Sequence, residues 1–179
     1  VLAVVVALVG RTAWSGMQAL REARAAAQAQ DGTTAVMAYR RSARWYLPLA
    51  PWVSESHAAL AEIAKGAEAA GQAGDALFAW RALRGSILAT RSFYTPHADR
   101  LAVANRAIAK LMAAQPAPPV DAGKSLPELE AEHLALLERS NRPNPVLGAM
   151  AVGGFLLWVV ALWQLIGLRL RTPEGRKRL

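Results

Sequence analysis

Three histidines, His57, His97 and His133, are the side chains best suited to acid–base or metal chemistry, and they stand far apart in the sequence. A helix-borne metal site needs ligands at i and i+3 or i+4 on one face, or a cluster. Glu130 and His133 have the i, i+3 spacing that di-metal carboxylate bundles use, but those bundles need a second such motif and further glutamates, which the sequence does not offer. The chain has no cysteine, which excludes disulfides, thiolate metal sites and a cysteine nucleophile. No Ser–His–Asp set, glycine-rich phosphate loop or nucleophile elbow is recognisable. The expectation is a non-catalytic protein with no cofactor and no metal. The most chemically varied stretch is Thr90–Arg100, which combines Phe93, Tyr94, Pro96, His97 and Asp99 with two arginines. It reads as an interhelix elbow, with Phe93 and Tyr94 buried and Asp99 favouring the helix dipole. The functional reading is a docking corner at a helix N-terminus, where Tyr94 and His97 would meet a partner.

Two other groups of residues are suited to binding. Arg40, Arg41 and Arg44 recur on a later, similar segment as Arg81 and Arg84. If the two segments stack, these arginines could form one basic stripe facing an acidic partner. The plainer reading is a solvated face paired with Glu62 and Glu68. Trp45-Tyr46-Leu47-Pro48-Leu49-Ala50-Pro51-Trp52 is a dense apolar corner. It either closes a core between hairpins or presents Trp45 and Trp52 to a partner or a membrane interface, places that aromatic residues favour.

These groups must be positioned by the elements around them, and the strongest of those signals is at the C-terminal end. Val146–Leu168 is 23 residues without a charge, followed by Arg169, Arg171, Arg176, Lys177 and Arg178. About 20 apolar residues let a helix cross the hydrocarbon core. In lipid the backbone must satisfy its own hydrogen bonds, so such a segment is helical. The basic residues suit anionic headgroups and favour the cytoplasmic side. Val1–Gly10 is also wholly apolar and reads as the second half of a first span whose upstream part is missing. Within the second span Ala149, Gly153 and Gly154 form a small-residue face for close helix packing, with Ala3 and Ala7 of the first span as the nearest candidate surface.

Two spans place both ends on one side. The expected location is a bacterial inner membrane, with the C-terminus cytoplasmic and the central part in the periplasm. The net charge of +8 divides evenly, because residues 11–145 hold 16 Lys/Arg against 12 Asp/Glu and residues 146–179 hold 5 against 1. The central part is thus only mildly basic, and no nucleic-acid-binding module is visible.

The central part is alanine-rich, which favours helix. Breaks at Asp31-Gly32, Leu47–Pro51, Gly71–Gly74 and Thr95-Pro96 predict helices near 11–29, 33–47, 53–70, 75–92 and 96–114, with Thr33 or Thr34, Ser54 and Thr95 as the N-caps of the second, third and fifth. Ser125-Leu126-Pro127-Glu128 matches a capping box and predicts a further helix over 126–139. The domains expected are the end of a first span (1–10), a helical-hairpin domain (11–114), a Pro-rich linker with a short helix (115–145), a second span (146–168) and a basic tail (169–179).

Two segments repeat a pattern. In Ala35–Ser42 and Ala76–Leu83 a small residue precedes an aromatic (Tyr39, Trp80) by four, and an arginine follows the aromatic. This resembles the second helix of a tetratricopeptide repeat, and Pro48 stands near that repeat's closing proline. The aromatics are 41 residues apart where the family uses about 34, and the Trp-Leu-Gly-Tyr pattern of the first helix is absent. The resemblance implies stacked antiparallel hairpins that bind proteins. The expected function is a scaffold or accessory subunit of a larger membrane complex, with other membrane subunits and the bilayer as partners. A small-molecule ligand is not expected. The alternative is a membrane-anchored extracytoplasmic sensor.

Overall fold

Prolines, glycines and capping side chains set the ends of the helices. The computed structural model describes residues 2–92, 94–116, 123–139 and 145–171. They form α1 (Leu2–Gln28), α2 (Gly32–Arg44), α3 (Pro51–Ala69), α4 (Ala73–Ala89), α5 (Ala98–Ala113), α6 (Leu126–Glu138) and α7 (Pro145–Arg171). No strand occurs among the described residues, and the all-α class expected from composition holds. Helices α1–α6 make one unit and α7 belongs to a second.

The N-caps of three helices differ from the sequence reading. α2 is capped by Asp31, whose carboxylate accepts the Thr34 N–H at 3.0 Å, and not by Thr33 or Thr34. That hydrogen bond holds the Asp31 carboxyl below its usual pKa. α3 begins at Pro51, with no use of Ser54 as a cap. Proline at the first helical position has no N–H to leave unpaired and a ready-made φ. At α5 the reverse happens. Pro96 stays in the turn, His97 takes a left-handed conformation with φ 52°, and the helix opens at Ala98. The capping box of α6 forms as expected, with the Glu128 carboxylate accepting both the backbone N–H and the hydroxyl of Ser125.

The six helices of the first unit pack in sequence order, each on the next, with α2 also against α4 and α1 also against α3. Fully buried alanines (Ala23, Ala43, Ala64, Ala76, Ala79, Ala104) let the backbones approach closely, and Leu60, Leu83, Ile87 and Ile108 fill the space between. α6 is part of this packing. It lies on α5, buries Leu129, brings Leu137 against the core and supplies the Leu137 carbonyl to Arg84, although its sequence neighbours read as a linker.

α1 has two halves. From Gly16 onward its inner face (Gly16, Ala19, Leu20, Ala23) is buried in the stack. From Ala3 to Gly10 every side chain is exposed, including Val4, Val6 and Leu8 at 60–62%. Among the described residues α1, over Ala3–Gln28, is the one helix long and apolar enough to cross a membrane, a property that membrane anchors and signal sequences share. The sequence reading expected two such helices; of the second apolar segment, the stretch Gly148–Gln164 within α7 is described.

Candidate functional site

The outer stripe of α2 carries Met37, Arg40, Arg41, Arg44 and Trp45 at helical spacing, and these five side chains line a groove of about 580 Å³. Arg40 leans toward α4, so that a methyl group at Gly85 would sit 3.6 Å from its Nη2. Its Nε is buried without a hydrogen-bond partner. Arg41 reaches back to α1 and pairs with Glu22 at 2.9 Å. Arg44 is exposed, and Trp45, which caps the helix, is 38% exposed. Residues 32–54 contain no acidic side chain. Three guanidinium groups, each a five-donor fork, beside a thioether and an indole suit an anionic group joined to an apolar one.

The two arginines of α4 part company. Arg81 is exposed. Arg84 turns inward, donating from Nε to Asn105 Oδ1 at 2.9 Å and from Nη2 to the Leu137 carbonyl at 3.0 Å, and so ties α4 to α5 and α6. Burial and the neighbouring Arg91 lower its pKa. Glu62 is engaged by Lys65 at 3.0 Å, and Glu68 accepts the Trp80 indole N–H.

The apolar corner after α2 divides in the same way. Trp52 is buried (7%), with its Nε1 donating to the Trp45 carbonyl at 2.9 Å. Its indole lies against Gly16, where an added Cβ would fall 2.8 Å from Cε2. Leu49 is at the opposite extreme, 102% exposed with φ 64°. A cleft of about 390 Å³ runs between this corner and the α4–α5 turn, bounded by Tyr46, Leu49, Tyr94 and His97. The Tyr46 and Tyr94 hydroxyls are 2.9 Å apart, and that contact raises the Tyr46 pKa. Tyr94, read as a buried elbow residue, is 57% exposed. Phe93 lies outside the described residues.

The structure also joins two histidines that the sequence separates by 40 positions. The rings of His57 and His97 stand 5.1 Å apart, edge to face. His57 is 1% exposed and neither ring nitrogen has a hydrogen-bond partner. Burial, then His97 and Arg100, push its pKa down to about 4, against the opposing pull of Asp99. Arg100 is held by the Ser54 carbonyl at 2.9 Å and the Ser54 hydroxyl at 3.1 Å. The burial of His57 had a signal in the sequence. Val53, His57, Leu60, Ala64 and Ala67 follow the i, i+3/i+4 rhythm of one helix face. Among the described residues no group of three or more His, Asp or Glu side chains could hold a metal ion.

On α7, Ala149 and Gly154 are exposed and Gly153 is half-exposed. Arg169 and Arg171 fall in its last turn. Arg176, Lys177 and Arg178 lie outside the described residues. Comparison with known families, curated proteins and solved structures finds no match.

Proposed function

We propose that this chain is a membrane-anchored, non-catalytic scaffold or accessory subunit, which holds a stack of helical hairpins outside the bilayer for partner proteins to bind. The observation that carries this reading is α1. One unbroken helix presents eight exposed, uncharged residues from Ala3 to Gly10 and then becomes the first wall of a packed domain. Such a helix suits a rigid anchor. A signal sequence has no need to continue into the folded domain.

The direction of the chain supports a second span. Short connections make α1–α4 alternate in direction. The Arg84–Leu137 bond sets the end of α6 beside the last turns of α4. The chain therefore returns at Glu138 to the end of the stack where the exposed half of α1 projects. α7 follows, and its uncharged stretch Val146–Leu168 is the proposed second span, with the basic residues after it in the cytoplasm and the helical domain in the periplasm.

The tetratricopeptide-like reading draws support from matching burial in α2 and α4. Ala35, Val36, Ala38 and Tyr39 are buried, as are Ala76, Leu77, Ala79 and Trp80, the residues 41 positions later. The outer faces of these helices, with Arg40, Arg41 and Arg81, form the proposed protein-binding surface. The test is affinity purification of the full-length protein in mild detergent, with mass spectrometry and native sizing. A membrane protein co-purifying in fixed stoichiometry is expected. A lone monomer or dimer would contradict the reading.

A further inference from the structure

We infer that the end of the helical stack nearest the exposed half of α1 is itself a membrane-contact face, which places Trp14, Trp45, Leu49 and Tyr94 in the bilayer interface and Arg44 on anionic lipid headgroups. The inference rests on the reading of α1 as a membrane anchor.

Its first support is the level at which the α2–α3 corner sits. The Ser42 hydroxyl donates to the Gly16 carbonyl at 2.9 Å, which fixes the register of α2 on α1. α2 runs back toward the start of α1, so three residues later Trp45 lies about 4.5 Å nearer that start. That is the level of Ala13 and Trp14, one turn from Gly10, where the uncharged stretch of α1 ends. The α4–α5 turn reaches this level at Tyr94, whose hydroxyl meets that of Tyr46.

The second support is what this end exposes. Trp14 is 67% exposed and Leu49 fully so. Leucine rarely takes a left-handed conformation, and here that conformation lifts an apolar side chain clear of the protein. Tryptophan and tyrosine concentrate at membrane–water interfaces, where their rings and polar atoms are both accommodated. The third support is charge. Arg11 and Arg44 are exposed, and the whole stretch 32–54 is free of acidic residues. The groove beside Arg44 and Trp45 combines cation and indole, as a phospholipid phosphate with its acyl chains requires. The occupant is the anionic bilayer that α1 enters, and the contact would fix the tilt of the domain.

The chain has no cysteine, so single-cysteine variants carry one label each. Leu49→Cys, Tyr94→Cys, Val6→Cys and Ala70→Cys, made in the full-length protein, would each bear an environment-sensitive fluorophore. They would be reconstituted in vesicles of phosphatidylcholine alone or with phosphatidylglycerol. Lipid-borne nitroxide should quench the labels at 49 and 94, most strongly with phosphatidylglycerol, while iodide quenches the label at 70. Arg44→Gln should lower the docked-to-undocked ratio about 5-fold in phosphatidylglycerol vesicles. Inorganic phosphate added to the phosphatidylcholine vesicles should change nothing. Labels at 49 and 94 that meet iodide while the label at 6 meets only lipid would overturn the inference and leave the anchor standing. A label at 6 that meets iodide would overturn both. Lipid quenching indifferent to phosphatidylglycerol and to Arg44→Gln would overturn the assignment to anionic headgroups.

Discussion

His57 and Arg84 show how far the role of one side chain depends on neighbours distant in sequence. His57 is held neutral by burial, with a pKa of about 4 in the folded state against an ordinary 6.5. Unfolded chains therefore bind a proton there first. Its neutrality stabilises the fold fully above pH 6.5, and the contribution is lost as pH falls from 6.5 toward 4, on the order of 3 kcal/mol in all. His57→Leu should flatten the wild-type stability curve over that window, as read by denaturant unfolding of the detergent-solubilised protein. An unchanged slope would show that His57 is solvated. Arg84 reads in the sequence as half of a basic surface pair with Arg81, because both lie on the segment that corresponds to Arg40, Arg41 and Arg44. What the repeat could not show is the opening filled by Asn105 and the end of α6. Arg84→Ala should cost about 1.5–3 kcal/mol, the range for hydrogen bonds to a charged group. It should also speed amide exchange in α6, whereas Arg81→Ala should do neither.

Among the elements, helix identity was legible and helix ends less so. The proline and glycine breaks, with the Ser125 capping box, predicted α2–α6 to within a few residues, while α1 begins at Leu2, nine residues before the predicted start. The ends shifted where a local rule competed with another, as when Pro51 at the first helical position overrode Ser54 as a cap. Close helix approach left no readable trace. Gly16 and Gly66 look alike in the sequence, each the one glycine of its predicted helix, 11–29 and 53–70. The Trp52 indole fills the space beside Gly16, while nothing lies within 4 Å of a Cβ at Gly66. The same substitution should then have opposite signs. Gly66→Ala should stabilise by up to about 1 kcal/mol through helix propensity. Gly16→Ala should destabilise by about 1–3 kcal/mol, because the indole must shift in a packed interface. Thermal unfolding of the two variants side by side checks this, and a stabilised Gly16→Ala would mean that α1 and α3 are not in close contact at Trp52.

For the whole molecule, the up-and-down course of the six packed helices matters more than any one pocket. It returns the chain at Glu138 to the end of the stack where the exposed half of α1 projects. The breaks between helices announced this up-and-down course, because short connections make neighbouring helices antiparallel. The sequence did not reveal which ends of the helices gather Trp14, Trp45, Leu49 and Tyr94, since that depends on the register set by Ser42 against Gly16. The tail beyond Arg171 and the joints at 117–122 and 140–144 bear on orientation, and they lie outside the described residues. The anchoring of the domain by α1 is tested most directly by maleimide labelling of single cysteines in the full-length protein in intact spheroplasts. A membrane-impermeant maleimide should label Lys65→Cys without detergent and should fail to label Val6→Cys until the membrane is dissolved. Labelling of Val6→Cys in intact spheroplasts would contradict the account, because the exposed half of α1 would then lie in water.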